Sequence, residues 1–121
     1  MKKIKRQIGV GGAVISPYAK KLVNRVLNSG RLSYGPFLRK FEEEFGKLCD
    51  RKFTISVNSG TSALQVAIHA LKELYDWKDG DEVLVPAVTF VASSNTIIQN
   101  NLRPVFVDVD EYYLMDVNKI E

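Results

Sequence analysis

A short run of small and hydroxyl-bearing residues at positions 58–64 has the composition of an anion-binding turn. Gly60 permits a tight bend and a close approach of the backbone to a ligand. Ser59, Thr61 and Ser62 place three hydroxyl groups at the same point. If a helix begins here, its first N–H groups are unpaired and carry the positive end of the helix dipole, so the turn can bind a phosphate or a carboxylate. A second interpretation stays open, in which Ser59 is an N-cap and the other hydroxyls are ordinary first-turn residues.

The flanking residues predict that this turn connects a strand to a helix. Residues 53–57 are apolar and rich in β-branched side chains, which predicts a short buried strand. After the turn, apolar residues recur at helical spacing and predict an amphipathic helix. These residues are Leu64, Ala67, Ile68, Leu71, Leu74 and Tyr75. The hydroxyl groups would then lie beyond the carboxyl end of a strand, where open α/β sheets bind ligands.

Two more strands are predicted downstream, with a short helix between them. Residues 82–85 form one strand, which Pro86 ends, residues 92–100 form the helix, and residues 105–107 form the other strand, before Asp108. Each strand is a continuous apolar run, which is typical of a parallel sheet covered by helices on both faces. The predicted fold class is therefore α/β, with right-handed crossovers between parallel strands.

Three loops are expected to converge beyond the carboxyl ends of these strands. The first offers hydroxyl and N–H groups, the second offers Thr89 and the ring of Phe90, and the third, residues 108–110, offers carboxylates. This combination suits a phosphorylated, planar ligand with Phe90 stacked on its face. Taken alone, Phe90 would be interpreted as a core aromatic residue, and Asp108 as a capping or turn carboxylate.

The first third of the chain is predicted to contain an arm and two helices. Residues 1–15 form the N-terminal arm, whose glycines lack the preceding strand of a dinucleotide-binding motif. One helix is expected to begin at Ser16 and to end near Gly30. The next is expected to open at Pro36. Residues 16–121 would then form one α/β portion.

Composition excludes several classes of function. The single cysteine, Cys49, excludes an internal disulfide and fits a reducing cytoplasm. With one cysteine and one histidine, His69, these residue types cannot build a zinc site, and His69 is expected on an exposed helix face. No apolar run approaches the roughly 20 residues of a membrane helix. The net charge of +3 is mild, and the basic run at residues 2–6 is more typical of a solvated terminus than of a nucleic-acid site.

Four motifs in register resemble the DegT/DnrJ/StrS family of sugar aminotransferases. They are SGTSAL at 59–64, GDEVLVP at 80–86, TFVA at 89–92 and PVFVDVD at 104–110. An earlier segment, LNSGRLSYGP at 27–36, is also similar to that family, so the resemblance covers the chain from about residue 11 onward. Each motif alone is weak, but four of them in the same order and spacing are specific.

The resemblance implies a fold and a cofactor. The chain would be the front part of the large domain of a fold-type I transferase, and the cofactor would be pyridoxal 5′-phosphate (PLP). The resemblance further implies that Gly60, Thr61 and Ser62 contact the cofactor phosphate and that Phe90 stacks on its pyridine ring. Both roles agree with the residue-level interpretation above.

The resemblance also implies a reaction and partners. Family members commonly transfer an amino group from glutamate to a nucleotide-linked keto sugar, in the biosynthesis of surface polysaccharides or of sugars of secondary metabolites, and usually work as cytoplasmic homodimers. The arm around Gly12 and the loop at Tyr34 would approach the substrate pocket.

One departure from the family pattern limits the prediction. The lysine that holds the cofactor in this family lies downstream of the strand at residues 105–107, and no lysine of this chain stands at a matching position. The predicted terminal helix, capped by Asp116, is one turn long, and a three-stranded sheet would have open edges. We therefore expect an N-terminal fragment that does not transaminate on its own. The alternatives are a sugar dehydratase of the same family, in which a histidine replaces the lysine, and a non-catalytic remnant or small phosphate-binding module.

Overall fold

The computed structural model describes residues 11–120, and the chain divides into two compact units, Met1–Thr54 and Ile55–Glu121. Most of the predicted arm over residues 1–15, including the basic run at 2–6, lies outside the described residues. Residues 11–15 contain no helix or strand.

The first unit contains the two predicted helices. Helix α1 spans Pro17–Asn28, and helix α2 spans Pro36–Leu48. Ser16 caps α1, since its hydroxyl oxygen accepts a hydrogen bond of 3.1 Å from the Ala19 N–H. Gly30 follows α1 with a φ of +66°, the left-handed conformation that commonly ends helices. Both predicted helix positions are confirmed.

The second unit is an α/β arrangement with a small parallel sheet. Its elements are α3 (Gly60–Leu74), β1 (Glu82–Pro86), α4 (Ala92–Gln99), β2 (Arg103–Val107) and a single 3-10 turn (Val117–Lys119). Strands β1 and β2 pair in parallel, from Glu82 opposite Arg103 to Pro86 opposite Val107. The predicted fold class and the parallel pairing of these two strands are confirmed, and the fold is partial.

A small apolar core joins α4 to one face of the sheet. Val85, Ile97 and Leu102 are buried, and partly buried Ile68, Trp77 and Val83 pack against them. Leu84 and Phe106 are 41% and 59% exposed, although they lie within the strands. Since neighbouring strand residues point to opposite faces, the second face of this sheet is open in the described chain.

The prediction of a strand at residues 53–57 is wrong. The described residues contain two strands, β1 and β2, and neither pairs with this segment. Phe53 and Ile55 are 80% and 79% exposed. An apolar, β-branched run becomes a strand only when a neighbouring strand supplies hydrogen bonds and an apolar surface, and no described residue does so. The turn at the far end is 3-10 rather than α-helical, but Asp116 caps it by accepting from the Asn118 N–H at 3.0 Å.

The packed face of α3 is mostly polar and differs from the predicted apolar face. Gln65, Ile68 and Lys72 are partly buried, whereas Leu71 and Leu74 on the predicted apolar face are 40% and 72% exposed. The core is small, and Ile68 is the one residue of α3 that packs against it. The polar neighbours of Ile68 form hydrogen bonds at the end of α4, as described below. His69 is exposed, as predicted.

Candidate functional site

The turn before α3 combines a helix cap with donors that have no acceptor. The Ser59 hydroxyl oxygen accepts from the Ser62 N–H at 3.1 Å and donates to the Ser62 hydroxyl oxygen at 3.0 Å. The capping interpretation of Ser59 is therefore confirmed. Because Ser62 accepts in this hydroxyl pair, its own hydroxyl proton is left for another group.

Two backbone N–H groups at the same turn are also unpaired. The first backbone bond of α3 runs from the Ala63 N–H to the Ser59 carbonyl at 3.0 Å. Over residues 11–120, the N–H groups of Gly60 and Thr61 have no hydrogen-bond acceptor. They stand at the positive end of a 15-residue helix. This turn therefore offers two N–H donors and one hydroxyl donor to an anion.

An open cleft of about 620 Å³ brings this turn together with Phe90. It is lined by Gly60, Thr61, Ala63, Leu64, Ala67, Phe90, Ala92 and Ser93. None of these lining residues is charged, so the electrostatic attraction for an anion comes from helix termini rather than from lysine or arginine. Ser62 is not a lining residue, but its free hydroxyl belongs to the same first turn. Phe90 is 74% exposed, which contradicts its interpretation as a core aromatic residue and leaves its ring available to a planar ligand.

Hydrogen bonds at the start of α4 fix the backbone of Phe90. The Ser93 N–H donates to the Phe90 carbonyl at 2.9 Å, and the Asn95 N–H donates to the Val91 carbonyl at 3.0 Å. The hydroxyl oxygens of Thr89 and Ser93 are 2.9 Å apart, and the hydroxyl that accepts in this pair can donate its own proton to another group. Ser93 was not predicted as a site residue. Its spacing of four residues from Thr89 across a helix start was the signal that could have found it.

The carboxylates of the third loop do not line this cleft. Asp108 forms an ion pair of 2.8 Å with the Lys119 ammonium group and accepts from the Val109 N–H at 2.9 Å. The hydrogen bond from Lys119 lowers the pKa of Asp108, and the same contact raises the pKa of Lys119. Asp110 accepts from the N–H groups of Tyr112 and Leu114 at 2.8 and 2.9 Å. The interpretation of Asp108 as a turn carboxylate is confirmed, because these oxygens are used within their own loop.

Gly12 and Tyr34, the predicted substrate-binding residues, lie in the first unit. Gly12 is exposed, with no atom within 4 Å of the position a Cβ would take. Tyr34 is fixed on three sides: its carbonyl accepts from Arg31 Nε at 3.0 Å, its hydroxyl is 3.4 Å from a Glu42 carboxylate oxygen, and the Arg39 guanidinium is 5.4 Å from its ring centroid. Its ring remains 48% exposed.

The described part of the chain contains neither a metal-binding cluster nor a membrane-spanning helix. Among residues 11–120, no group of three or more histidine, cysteine, aspartate or glutamate side chains is placed to hold a metal ion. Within the same range, no helix has both the length and the apolar character needed to cross a membrane.

One side of this cleft is a helix N-terminus, and the other carries an exposed aromatic residue from the loop that follows β1. This combination is typical of α/β proteins that bind a phosphorylated, planar molecule. Comparison with known proteins identifies the class. The model of the DegT/DnrJ/EryC1/StrS aminotransferase family matches residues 14–121, and the chain belongs to this family.

Relatives and solved structures agree with this assignment. The chain is 42% identical over 100 residues to the spore coat polysaccharide biosynthesis protein SpsC of Bacillus subtilis, covering 82% of this chain and 25% of SpsC. It superposes on the putative sugar aminotransferase Spr1654 of Streptococcus pneumoniae, in its PMP form, with a TM-score of 0.81 and 28% identity, covering 94% of this chain and 28% of that one. The PLP-bound GDP-4-keto-6-deoxy-D-mannose-3-dehydratase of Escherichia coli gives a TM-score of 0.77 and 30% identity, covering 84% and 26%. The chain therefore spans about a quarter of the length of these proteins.

Proposed function

We propose that this chain forms the phosphate-binding and ring-stacking part of a PLP-dependent enzyme that acts on a nucleotide-linked keto sugar. The observation that carries the proposal is one cleft lined both by Gly60 and Thr61, whose N–H groups have no acceptor among residues 11–120, and by the exposed residue Phe90.

The donor set of this cleft fits PLP. A phosphate oxyanion needs several donors, and the N–H groups of Gly60 and Thr61 and the hydroxyl of Ser62 supply three of them. The pyridine ring needs a flat apolar partner, which Phe90 provides. When bound, PLP supplies the electron sink for chemistry at the carbon that bears the nitrogen. The role of this part of the chain is to bind and orient the cofactor.

Amino transfer from a donor such as glutamate is the proposed reaction of the whole protein. SpsC, which is named for polysaccharide biosynthesis, and Spr1654, which is described as a putative sugar aminotransferase, support this choice. The second candidate is dehydration of a keto sugar, favoured by the likeness to the Escherichia coli dehydratase. A third is a phosphate-binding module without catalysis.

The cofactor-bearing lysine is proposed to lie outside these 121 residues. None of the residues that line the cleft is a lysine. The 121 residues alone are then expected to bind PLP without turning over substrate, and amino transfer by this polypeptide would contradict that part of the proposal.

Four further expectations remain part of the proposal. Residues 1–15 form an arm, and residues 16–121 form the N-terminal portion of the PLP-binding domain. Gly12 and Tyr34 approach the substrate. The assembly is a homodimer. Its compartment is the cytoplasm.

Binding of PLP to the 121-residue chain tests the proposal directly. We expect PLP to bind more tightly than either inorganic phosphate or pyridoxal, measured by calorimetry and by the ³¹P resonance of the cofactor. Phe90→Ala should weaken PLP binding about fivefold through loss of ring stacking, with phosphate binding unchanged. Ser94→Ala is the control, since that hydroxyl donates to the Val91 carbonyl within its own turn at 3.1 Å. Equal binding of PLP and pyridoxal, or no response to Phe90→Ala, would overturn the site.

A further inference from the structure

The side chain of Asn100 connects the two helices that form the cleft. Asn100 follows α4 directly and is only 5% exposed. Its amide nitrogen donates to the Thr96 carbonyl of α4 at 2.8 Å and, more weakly, to the Gln65 carbonyl of α3 at 3.4 Å. Its amide oxygen is 3.2 Å from Nδ1 of His69 on α3. The NH₂ group of Asn100 faces two carbonyls, so the amide oxygen is the atom that faces His69. This oxygen can only accept, and Nδ1 of His69 is therefore the donor.

Lys72 adds a second connection at the same point. Its side chain is 13% exposed, forms an ion pair with Asp79, and donates from Nζ to the Asn100 carbonyl at 2.8 Å. That carbonyl stands at the negative end of α4, where a cation is favourable. Both the backbone and the side chain of Asn100 are therefore held by α3. We call these contacts of Gln65, His69, Lys72, Thr96 and Asn100 the α3–α4 seam.

The amide of Asn100 also completes the end of α4. The backbone N–H of Asn100 donates to the Ile97 carbonyl at 3.1 Å. The Thr96 carbonyl instead accepts from the side-chain amide of Asn100. An apolar residue of similar size would leave that carbonyl without this donor in a buried place, at a cost in stability. It would also remove the directional hydrogen bonds that fix the rotation of α4 relative to α3. Apolar contacts are not directional and would not replace them.

The proposed cofactor site lies at the N-terminal ends of the same two helices. Gln65 lies one helical turn beyond Thr61 in α3, and α4 begins two residues after Phe90. Helices move as nearly rigid rods, so a rotation at the seam shifts Phe90 relative to the N-terminus of α3. We propose that Asn100 is a positioning residue that sets the separation between the phosphate-binding turn and the ring-stacking residue. This inference rests on the proposed function.

Comparing two ligands on the full 121-residue chain separates positioning from general stability. Inorganic phosphate needs only the N-terminus of α3, whereas PLP needs that turn and Phe90 together. Asn100→Leu should therefore weaken PLP binding about tenfold and change phosphate binding less than twofold. Gln99→Leu is the matched control, because it makes the same change from an amide to an apolar side chain at the neighbouring, exposed last residue of α4. Equal losses for the two ligands would mean that Asn100 acts through stability alone, and would overturn the inference.

A milder variant and a ligand-free measurement complete the test. Lys72→Met removes the bond to the Asn100 carbonyl, leaves the amide in place, and should weaken PLP binding selectively, by less than Asn100→Leu. In a Cys49→Ser background, which removes the exposed native thiol, spin labels at Ala63→Cys and Val91→Cys report the separation of the two helix starts without ligand. We expect Asn100→Leu to broaden or shift this distance. An unchanged distance in folded Asn100→Leu would overturn positioning, whereas a changed distance in a chain that binds no PLP would overturn the proposed function alone.

Discussion

Two polar loops of the second unit, the turn at Ser59–Ser62 and the loop from Asp108 to Asp116, use their hydrogen-bonding groups in opposite ways. In the loop, Asp108 accepts from Lys119 and Val109, and Asp110 accepts from two backbone N–H groups. In the turn, one cap bond and one hydroxyl pair leave the N–H groups of Gly60 and Thr61 without acceptors in the described part of the chain.

The difference shows what separates a binding site from a stabilised turn. Both segments are rich in polar residues, and the sequence predicts both as ligand-binding loops. The loop is rich in acceptors, and the neighbouring N–H groups and one lysine occupy them. The turn is rich in donors, and the backbone of a helix start supplies no acceptors for them. The candidate site is therefore the segment whose donors have no partner among the residues that the structure describes.

The largest effect is expected when the cap of the turn is replaced. Ser59→Ala should lower the free energy of unfolding by about 1 kcal/mol, since the Ser62 N–H loses its acceptor. It should also weaken PLP binding, because the frayed first turn no longer holds the N–H groups of Gly60 and Thr61 in place. Thermal unfolding and calorimetric titration measure the two effects.

Ser16→Ala is the matched control for this test. Ser16 caps α1 through a bond of 3.1 Å from the Ala19 N–H, with the same length and the same three-residue spacing as the Ser59 cap. The stability cost of the two variants should be similar, whereas only Ser59→Ala should affect PLP. A loss of PLP affinity in both variants would show that binding follows stability rather than the turn.

A smaller effect is expected in the loop. Asp110→Ala removes the acceptor of the Tyr112 and Leu114 N–H groups, so hydrogen exchange at these two amides should accelerate about tenfold. PLP affinity should stay the same. Glu111→Ala, which changes the adjacent side chain without removing such an acceptor, should leave the exchange rates unaltered. A weaker PLP affinity in Asp110→Ala would show that the loop contributes to the site after all.

The sequence predicted most elements because their signals are local. Helices α1 and α2 begin with a proline and end near a glycine or a polar turn, and β1 and β2 are short apolar runs between turn residues. The segment at 53–57 carries the same apolar signal, but a strand exists only with a partner, and partner choice is not a local property.

The candidate site was likewise predictable where its residues stand in local motifs. Gly60, Thr61, Ser62 and Phe90 stand in recognisable motifs, and their roles toward PLP remain predictions. Asn100 was not found, because its partners on α3 are determined by tertiary structure. Ser93 was not found either, although its partner Thr89 is only four residues away. Nothing in the spacing of Gln65 and Asn100 along the chain indicates that they meet.

The smallest expected effect is the titration of the loop. The hydrogen bond from Lys119 holds the pKa of Asp108 below its ordinary value of 3.8. A carboxyl group with a lowered pKa in the folded state contributes stability above its unfolded pKa, and this contribution is lost as the pH falls through the folded value. The bond between Asp108 and Lys119 should therefore persist at neutral pH and break only in acid, below the ordinary range of aspartate. The turn before α3, which contains no titrating side chain, should not respond over the same range.

A local probe is needed, because Lys72 also lowers the pKa of Asp79 and both carboxylates would contribute to an acid unfolding curve. The ¹³C resonance of the Asp108 carboxyl group follows this titration alone. Lys119→Met should raise its midpoint toward the ordinary value, whereas Lys78→Met, at a surface pair with Asp76, should leave it in place. An unchanged midpoint in Lys119→Met would show that the Val109 N–H alone lowers this pKa. The loop would then satisfy its carboxylate without Lys119, and the contrast with the turn would rest on backbone geometry rather than on charge.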